Sequence, residues 1–220
     1  MQIHSIFESI SGEAGGFSQG TWCTFIRLQG CNLNCSWCDT PEARSMDGGT
    51  EISIQDILPK VSTKHVLITG GEPLLQRIDT ASLIQALLDH GHVVQVETNG
   101  TYPIPTAFLS HPNVYWVIDY KTPSSGMHRN PFRGMEGTVS YVMAGKYIKF
   151  VIADLDDLVF SLNVMEEILF FSKHPYFILS PVNADRDLLV YILDAIKRRS
   201  PSLLDWIIFS IQLHKILEMP

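Results

Sequence analysis

The chain has 220 residues, 45% hydrophobic and only 18% charged, which fits one compact enzyme-like unit with a single substantial core. A net charge of −7 without any Lys/Arg run argues against nucleic acid as a partner, since phosphate backbones are held by clustered cations, and favours a small-molecule substrate. The longest apolar stretches, 159–171 and 203–217, are broken by Asn163, Glu166, Glu167, Asp205, Gln212 and His214, so neither offers the roughly 20 apolar residues that span a bilayer, and no membrane partner is expected.

The chain opens with alternating Ile3, Ser5, Phe7 and Ser9 rather than a basic stretch followed by an apolar one, so a cytoplasmic location is expected. Apolar runs bounded by Gly, Pro, Asn or Asp predict strands over 3–8, 22–28, 65–69, 93–97, 115–119, 147–153, 176–179 and 206–211. Three-to-four spacing predicts amphipathic helices over 54–61 after Ser53, 82–89 after Asp79, 158–172 after the Asp154 region, and 188–199 after Asp185. Strand and helix in alternation imply right-handed crossovers and a mainly parallel α/β sheet, doubly wound or curled into a full or partial barrel; the helices are too few for eight complete units. Residues 122–140 form the longest stretch without periodicity, rich in Gly, Pro and Ser, and are expected to act as a lid. With no repeat or linker, one domain over 1–220 is expected.

Cys31-x3-Cys35-x2-Cys38 gathers three thiols in one short loop, leaving only Cys23 elsewhere. Such crowding makes a poor disulfide framework and reads as metal binding in a reducing compartment. A structural zinc wants four ligands and an electron-transfer cubane four cysteines, so a trio points to a 4Fe-4S cluster with one iron open to a substrate or cofactor. The alternative is a zinc knuckle completed by Cys23 or His4, although Cys23 reads more simply as a small buried strand residue. The trio follows the strand over 22–28, at the strand end where parallel sheets and barrels carry their sites. Thr69-Gly70-Gly71-Glu72-Pro73 closes the next strand; alone it is a turn signal. Lone His65, His90 and His111 read as structural or solvent-facing.

The cysteine spacing, with Trp37 just before the last thiol, and the Gly-Gly-Glu segment resemble the radical S-adenosylmethionine superfamily. In that setting adjacent glycines leave room for a zwitterionic methionine against the backbone, with Glu72 an acceptor near its ammonium. The string Phe7-Glu8-Ser9-Ile10-Ser11-Gly12-Glu13, the Thr24-Phe25-Ile26-Arg27 strand, Cys38-Asp39-Thr40 and the end from Gln212-Leu213-His214-Lys215 to Pro220 are together similar to the 7-carboxy-7-deazaguanine synthase family, over nearly the whole chain. The resemblance implies conversion of 6-carboxy-5,6,7,8-tetrahydropterin to 7-carboxy-7-deazaguanine with loss of ammonia, on the route to queuosine and other 7-deazapurines. It also implies a 4Fe-4S cluster, S-adenosylmethionine, Mg2+, an external one-electron reductant such as flavodoxin, and a homodimer of abbreviated βα barrels. One electron would cleave the sulfonium and release a 5′-deoxyadenosyl radical that takes hydrogen from the pterin.

The same resemblance gives the residues roles. Arg27 would take the substrate carboxylate bidentately, though a guanidinium there also fits a surface ion pair. Glu13 would accept from the amino-pyrimidine edge, and Gly12 would let the backbone approach. Ser11 stands where the family often has Gln, leaving a backbone contact. Thr69, His214 and the terminal carboxylate of Pro220 complete the substrate set. Trp37, Cys38, Asp39, Gly71, Glu72, Asp119, Tyr120, Lys121 and Ser180 would surround S-adenosylmethionine; Thr40 would hold Mg2+, which keeps waters and takes substrate oxygens. No general acid or base is assigned. The rivals are an enzyme that activates glycyl-radical proteins, which needs an open peptide groove, and a non-catalytic zinc or iron–sulfur module.

Overall fold

A computed structural model describes residues 1–12, 14–128, 146–171 and 176–219. The strands are β1 (Gln2–Ile10), β2 (Trp22–Leu28), β3 (Thr50–Glu51), β4 (His65–Gly70), β5 (Val93–Thr98), β6 (Val114–Asp119), β7 (Lys146–Ile152), β8 (Tyr176–Pro181) and β9 (Ile207–Phe209). The helices are α1 (Ile54–Ile57), α2 (Arg77–Asp89), α3 (Leu155–Phe171), α4 (Arg186–Arg199) and α5 (Leu213–Ile216). One sheet runs in the order β3-β1-β2-β4-β5-β6-β7-β8-β9. It is antiparallel through β3, β1 and β2 and parallel from β2 to β9, and among the described residues its two edges do not pair, so the barrel is partial and open.

Period-two alternation divides this sheet into two chemically different faces. Ile26, Leu28, Val66, Ile68, Val94, Val96 and Trp116 pack with Ile57 of α1 and Leu83, Ile84 and Leu87 of α2 in one apolar cluster. Ile118, Ile148, Phe150, Ile152, Phe177 and Leu179 pack with Leu158, Leu162 and Met165 of α3 and Ile192 and Ile196 of α4 in another. Each such buried side chain stabilises the fold by about 1.5–3 kcal/mol. The intervening residues of the same strands, among them Arg27, Thr69, Glu97, Asp119 and Lys149, face the other way and line a cavity. The fold therefore offers a row of polar strand positions backed by a dry, helix-covered wall.

Boundaries depart from the sequence expectations where turn chemistry intervenes. The helix expected from residue 82 starts at Arg77, because a 3-10 turn over Pro73–Gln76 feeds directly into it and Thr80 Oγ1 bonds Pro73 O at 2.7 Å. The helix expected over 54–61 ends at Ile57 and tightens into a 3-10 turn over Leu58–Lys60, since Pro59 has no N–H to continue it. Asp154 and Asp185 cap α3 and α4 by accepting from Asp157 N and Leu188 N, each at 2.9 Å, so both helices begin earlier than their apolar periodicity. The last expected strand contracts to Ile207–Phe209, preceded by a 3-10 turn and followed by α5. Two-residue β3 carries too little pattern to be foreseen. Of the expected lid, residues 129–140 lie outside the described residues.

Candidate active site

The cysteine loop leaves β2 through Gly30, whose φ of +96° lies in the left-handed region. It folds back on the chain after it: Gly30 N bonds Ala43 O at 2.8 Å and Cys31 N bonds Arg44 O at 3.0 Å. The end of β4 docks onto the same loop through Gly71 N to Leu28 O (3.0 Å) and Glu72 N to Gly30 O (2.8 Å). A Cβ at Gly70 would sit 2.1 Å from Leu28 O, and one at Gly71 would sit 2.1 Å from Gly30 O. Both glycines are thus required by contact of backbone with backbone, where the sequence suggested room for a ligand. Glu72 is likewise turned inward: it is fully buried, and its carboxylate accepts from Leu74 N (2.8 Å), Thr98 Oγ1 (2.7 Å) and Asn99 N (2.7 Å). It ties the ends of β4 and β5 together and does not line the cavity. Burial pushes its carboxyl above the usual range against the pull of those three donors.

Cys31, Cys35 and Cys38 are half-buried, free of disulfides and line one cavity. Asn99 Nδ2 lies 3.9 Å from Cys31 Sγ. Burial raises the Cys31 and Cys35 thiols, while the Lys121 cation lowers both. Among the described residues no three His, Cys, Asp or Glu side chains close on a single metal ion. Corners of a cubane stand further apart than ligands of one ion, so thiols spaced around a cavity fit a cluster better than a zinc knuckle. Neither of the two residues named for the knuckle's fourth ligand fits. Cys23 is fully buried with Phe17 and Leu67, its thiol pushed up to about 12 first by burial and then by Glu97, and His4 Nδ1 is engaged by Gln29 Oε1 at 3.0 Å.

Around the thiols the strand ends present charge. Arg27 stacks on Phe7 with its guanidinium carbon 5.3 Å from the ring centroid, and Glu42 approaches to 3.7 Å. Its buried Nε has no hydrogen-bond partner among the described residues, a donor available to an acceptor in the cavity. Thr69 Oγ1 donates to Glu97 Oε2 at 3.2 Å. Asp119 bridges two lysines, Lys121 Nζ at 2.9 Å and Lys149 Nζ at 3.6 Å. Burial would raise the Asp119 carboxyl, but the two lysines outweigh it and hold it low; burial would lower Lys121, and Asp119 reverses that. Lys121 Nζ also lies 5.2 Å from the Trp37 ring centroid. Asp39 and Thr40 follow on the cavity wall, Asp39 exposed and Thr40 half-buried.

Tyr120, Ser180 and Ser11, also expected at the site, do not line the cavity. Tyr120 alternates to the far face, where it stacks on Phe150 at 5.3 Å and its hydroxyl is pushed up to about 12 by burial and Glu167; it is a core residue. Ser180 is fully buried at the end of β8, and its hydroxyl has no partner among the described residues. Ser11 is buried, with its backbone paired to Thr21 O (2.7 Å) and Gly20 N (2.8 Å). Gly12 and His214 do line it, and they meet: a Cβ at Gly12 would fall 1.8 Å from His214 Nδ1, and Leu213 N bonds Gly12 O at 2.8 Å. Glu13 and Pro220 lie outside the described residues.

Glu97, Lys149 and Asn99 join the cavity without having been singled out from the sequence. For two of them a signal existed: Glu97 and Lys149 are charged residues inside strands otherwise buried on both faces, which rarely occurs without a partner. Residues 25–141 match the model of the Radical SAM superfamily. Over all of this chain and 86% of the relative, it is 34% identical to a 7-carboxy-7-deazaguanine synthase of Methanospirillum hungatei; it is 35% identical to that of Clostridium acetobutylicum over 97% of this chain and 94% of the relative. A crystal structure of QueE from Escherichia coli superposes with a TM-score of 0.69 at 22% identity, over 95% of this chain and 92% of that one.

Proposed function

Because the chain belongs to the 7-carboxy-7-deazaguanine synthase family of radical S-adenosylmethionine enzymes, we propose that its cavity takes 6-carboxy-5,6,7,8-tetrahydropterin on the side of Arg27, Thr69, Glu97 and His214 and S-adenosylmethionine beside the cysteine loop. The observation that carries this reading is the opening of three free thiols from one loop onto the same cavity as those polar strand ends. Cys31, Cys35 and Cys38 hold the 4Fe-4S cluster, which when bound supplies the electron for reductive cleavage of S-adenosylmethionine.

The chain's own side chains bind and orient. Arg27 directs its orphaned Nε to the pterin carboxylate, and its Phe7 platform fixes the plane of the guanidinium. His214, seated on Gly12, borders the pterin, and Glu97 offers a carboxylate to its amino-bearing edge. Ser11, Glu13 and Pro220 belong to the same proposed substrate set. Trp37, Cys38, Asp39, Gly71, Asp119 and Lys121 serve the nucleotide side, with Ser180 and Glu72 acting from behind the cavity wall, Glu72 through Asn99. Thr40 helps hold Mg2+ with substrate oxygens. A single domain over 1–220, working in the cytoplasm as a homodimer reduced by a flavodoxin-like protein, completes the proposal.

Anaerobic protein reconstituted with iron and sulfide, given S-adenosylmethionine, Mg2+ and the pterin, is expected to yield 5′-deoxyadenosine and 7-carboxy-7-deazaguanine together. Formation of 5′-deoxyadenosine without the deazaguanine would keep the superfamily chemistry and reject the substrate.

A further inference from the structure

Asp157, in the first turn of α3, is fully buried and plays no part in the cavity, yet its carboxylate is committed to the loop after β6. Oδ1 accepts from Ser124 N at 2.9 Å; Oδ2 accepts from the Ser124 hydroxyl and from Ala153 N, the latter at 2.9 Å. Ser124 in turn reaches the two residues between Cys35 and Cys38. Its Oγ accepts from Trp37 Nε1 at 3.0 Å, its carbonyl accepts from Ser36 Oγ at 2.6 Å, and the next carbonyl, of Ser125, accepts from Ser36 N at 3.0 Å.

The polarity of this chain is forced. An indole N–H can only donate, so Ser124 must accept from Trp37 with a lone pair and send its single proton to an acceptor. Asp157 Oδ2 stands where that acceptor is needed. Trp37 is then fixed by its edge on Ser124 and by its face under Lys121, immediately before Cys38.

We propose that Asp157 is a positioning residue that acts through Ser124 to set the Trp37 ring and the Cys35–Cys38 segment for the cluster and its nucleotide, an inference that rests on the cofactor reading above. Ser124 is the hub, and losing it removes one partly buried hydrogen bond from Trp37, on the order of tenfold in an equilibrium that depends on the ring's placement.

The test uses full-length protein reconstituted anaerobically, reading the Kd for S-adenosylmethionine, the rate at which a chelator strips iron, and Tm. Ser124→Ala is expected to weaken S-adenosylmethionine binding and speed iron loss, each about tenfold. Ser124→Thr, which keeps the hydroxyl, is expected to restore both to within about twofold. Asp157→Asn turns a donor toward Ser124 and should reproduce the Ser124→Ala defects; should it fail to fold, the serine pair still decides. Adding Ser124→Ala to Trp37→Phe is expected to cost nothing more, because the indole N–H is already gone. Additive losses in that double variant, or a Ser124→Ala protein that matches the unaltered chain in both binding and iron loss, would overturn the inference. An unaltered chain that takes up no cluster would instead sink the cofactor reading and this inference with it.

Discussion

At the scale of single residues, four cysteines of one chemical type divide into two behaviours by where they sit, one sealed in the core and three on a cavity. Cys23, on β2, is sealed among Phe17, Leu67 and Phe25, and with its thiol near 12 it holds almost no nucleophilic thiolate at neutral pH. The other three border a cavity, and the Lys121 cation lowers the thiols of Cys31 and Cys35 against their burial. Alkylation of the native, cluster-free protein is therefore expected to modify Cys31, Cys35 and Cys38 and spare Cys23, as read by peptide mass spectrometry. Cys23→Ala should take up as much iron as the unaltered chain. Labelling of Cys23 at the rate of the others, or loss of iron on its removal, would return it to the ligand set. Glu72 shows the converse: a motif residue whose identity is legible and whose direction is not, because whether a carboxylate faces a ligand or its own neighbours depends on Thr98 and Asn99, contributed by the next strand.

At the scale of elements, the contact between the end of β4 and the cysteine loop explains what the Gly-Gly pair is for. At Gly71 the obstruction is main chain, Gly30 O at 2.1 Å and Ala43 O at 2.7 Å, which cannot swing aside as a side chain would. Gly71→Ala is expected to destabilise the protein by about 3 kcal/mol and to lower its iron content after reconstitution. Gly91, which ends α2 with a φ of +79° and open space around it, makes the comparison: Gly91→Ala should cost about 1 kcal/mol, from φ alone, and leave iron content intact. Equal effects in urea titration and iron analysis would mean that the two glycines do the same job. Among the described residues seven of the nine strands lie close to their apolar runs, and in the central parallel ones burial on both faces writes a continuous hydrophobic signal. What escapes is set by pairing at a distance: the antiparallel β1–β2 ladder, the two-residue β3, and the inward parity of Glu97 and Lys149, which needs the register of neighbouring strands before the face they occupy is known.

At the scale of the whole molecule, an open sheet leaves the cavity to be closed by segments from opposite ends of the sequence. The segment after β1 and the segment after β9 meet there. Leu213 N bonds Gly12 O, Ala14 N bonds Ser210 Oγ at 3.0 Å, and the Gln19 amide donates both to Gly12 O at 2.8 Å and to Ile211 O. One side-chain amide thus joins two strands of chain that no ladder of the sheet connects, and it does so beside His214. Gln19→Leu keeps the bulk and removes both donors, leaving Ile211 O without its amide and Gly12 O with Leu213 N alone. Loss of the pair should loosen the closure without touching the cysteine loop, which is anchored on β4 and the loop after β6. The expected outcome is a KM for the pterin raised about tenfold, with the Kd for S-adenosylmethionine and the iron content unchanged. Deuterium exchange should rise over 11–21 and 210–217 and nowhere else. If exchange rises across the sheet, or if both ligands weaken together, the two ends of the chain are not a separate closure of the substrate side but part of one cooperative unit with the cluster loop.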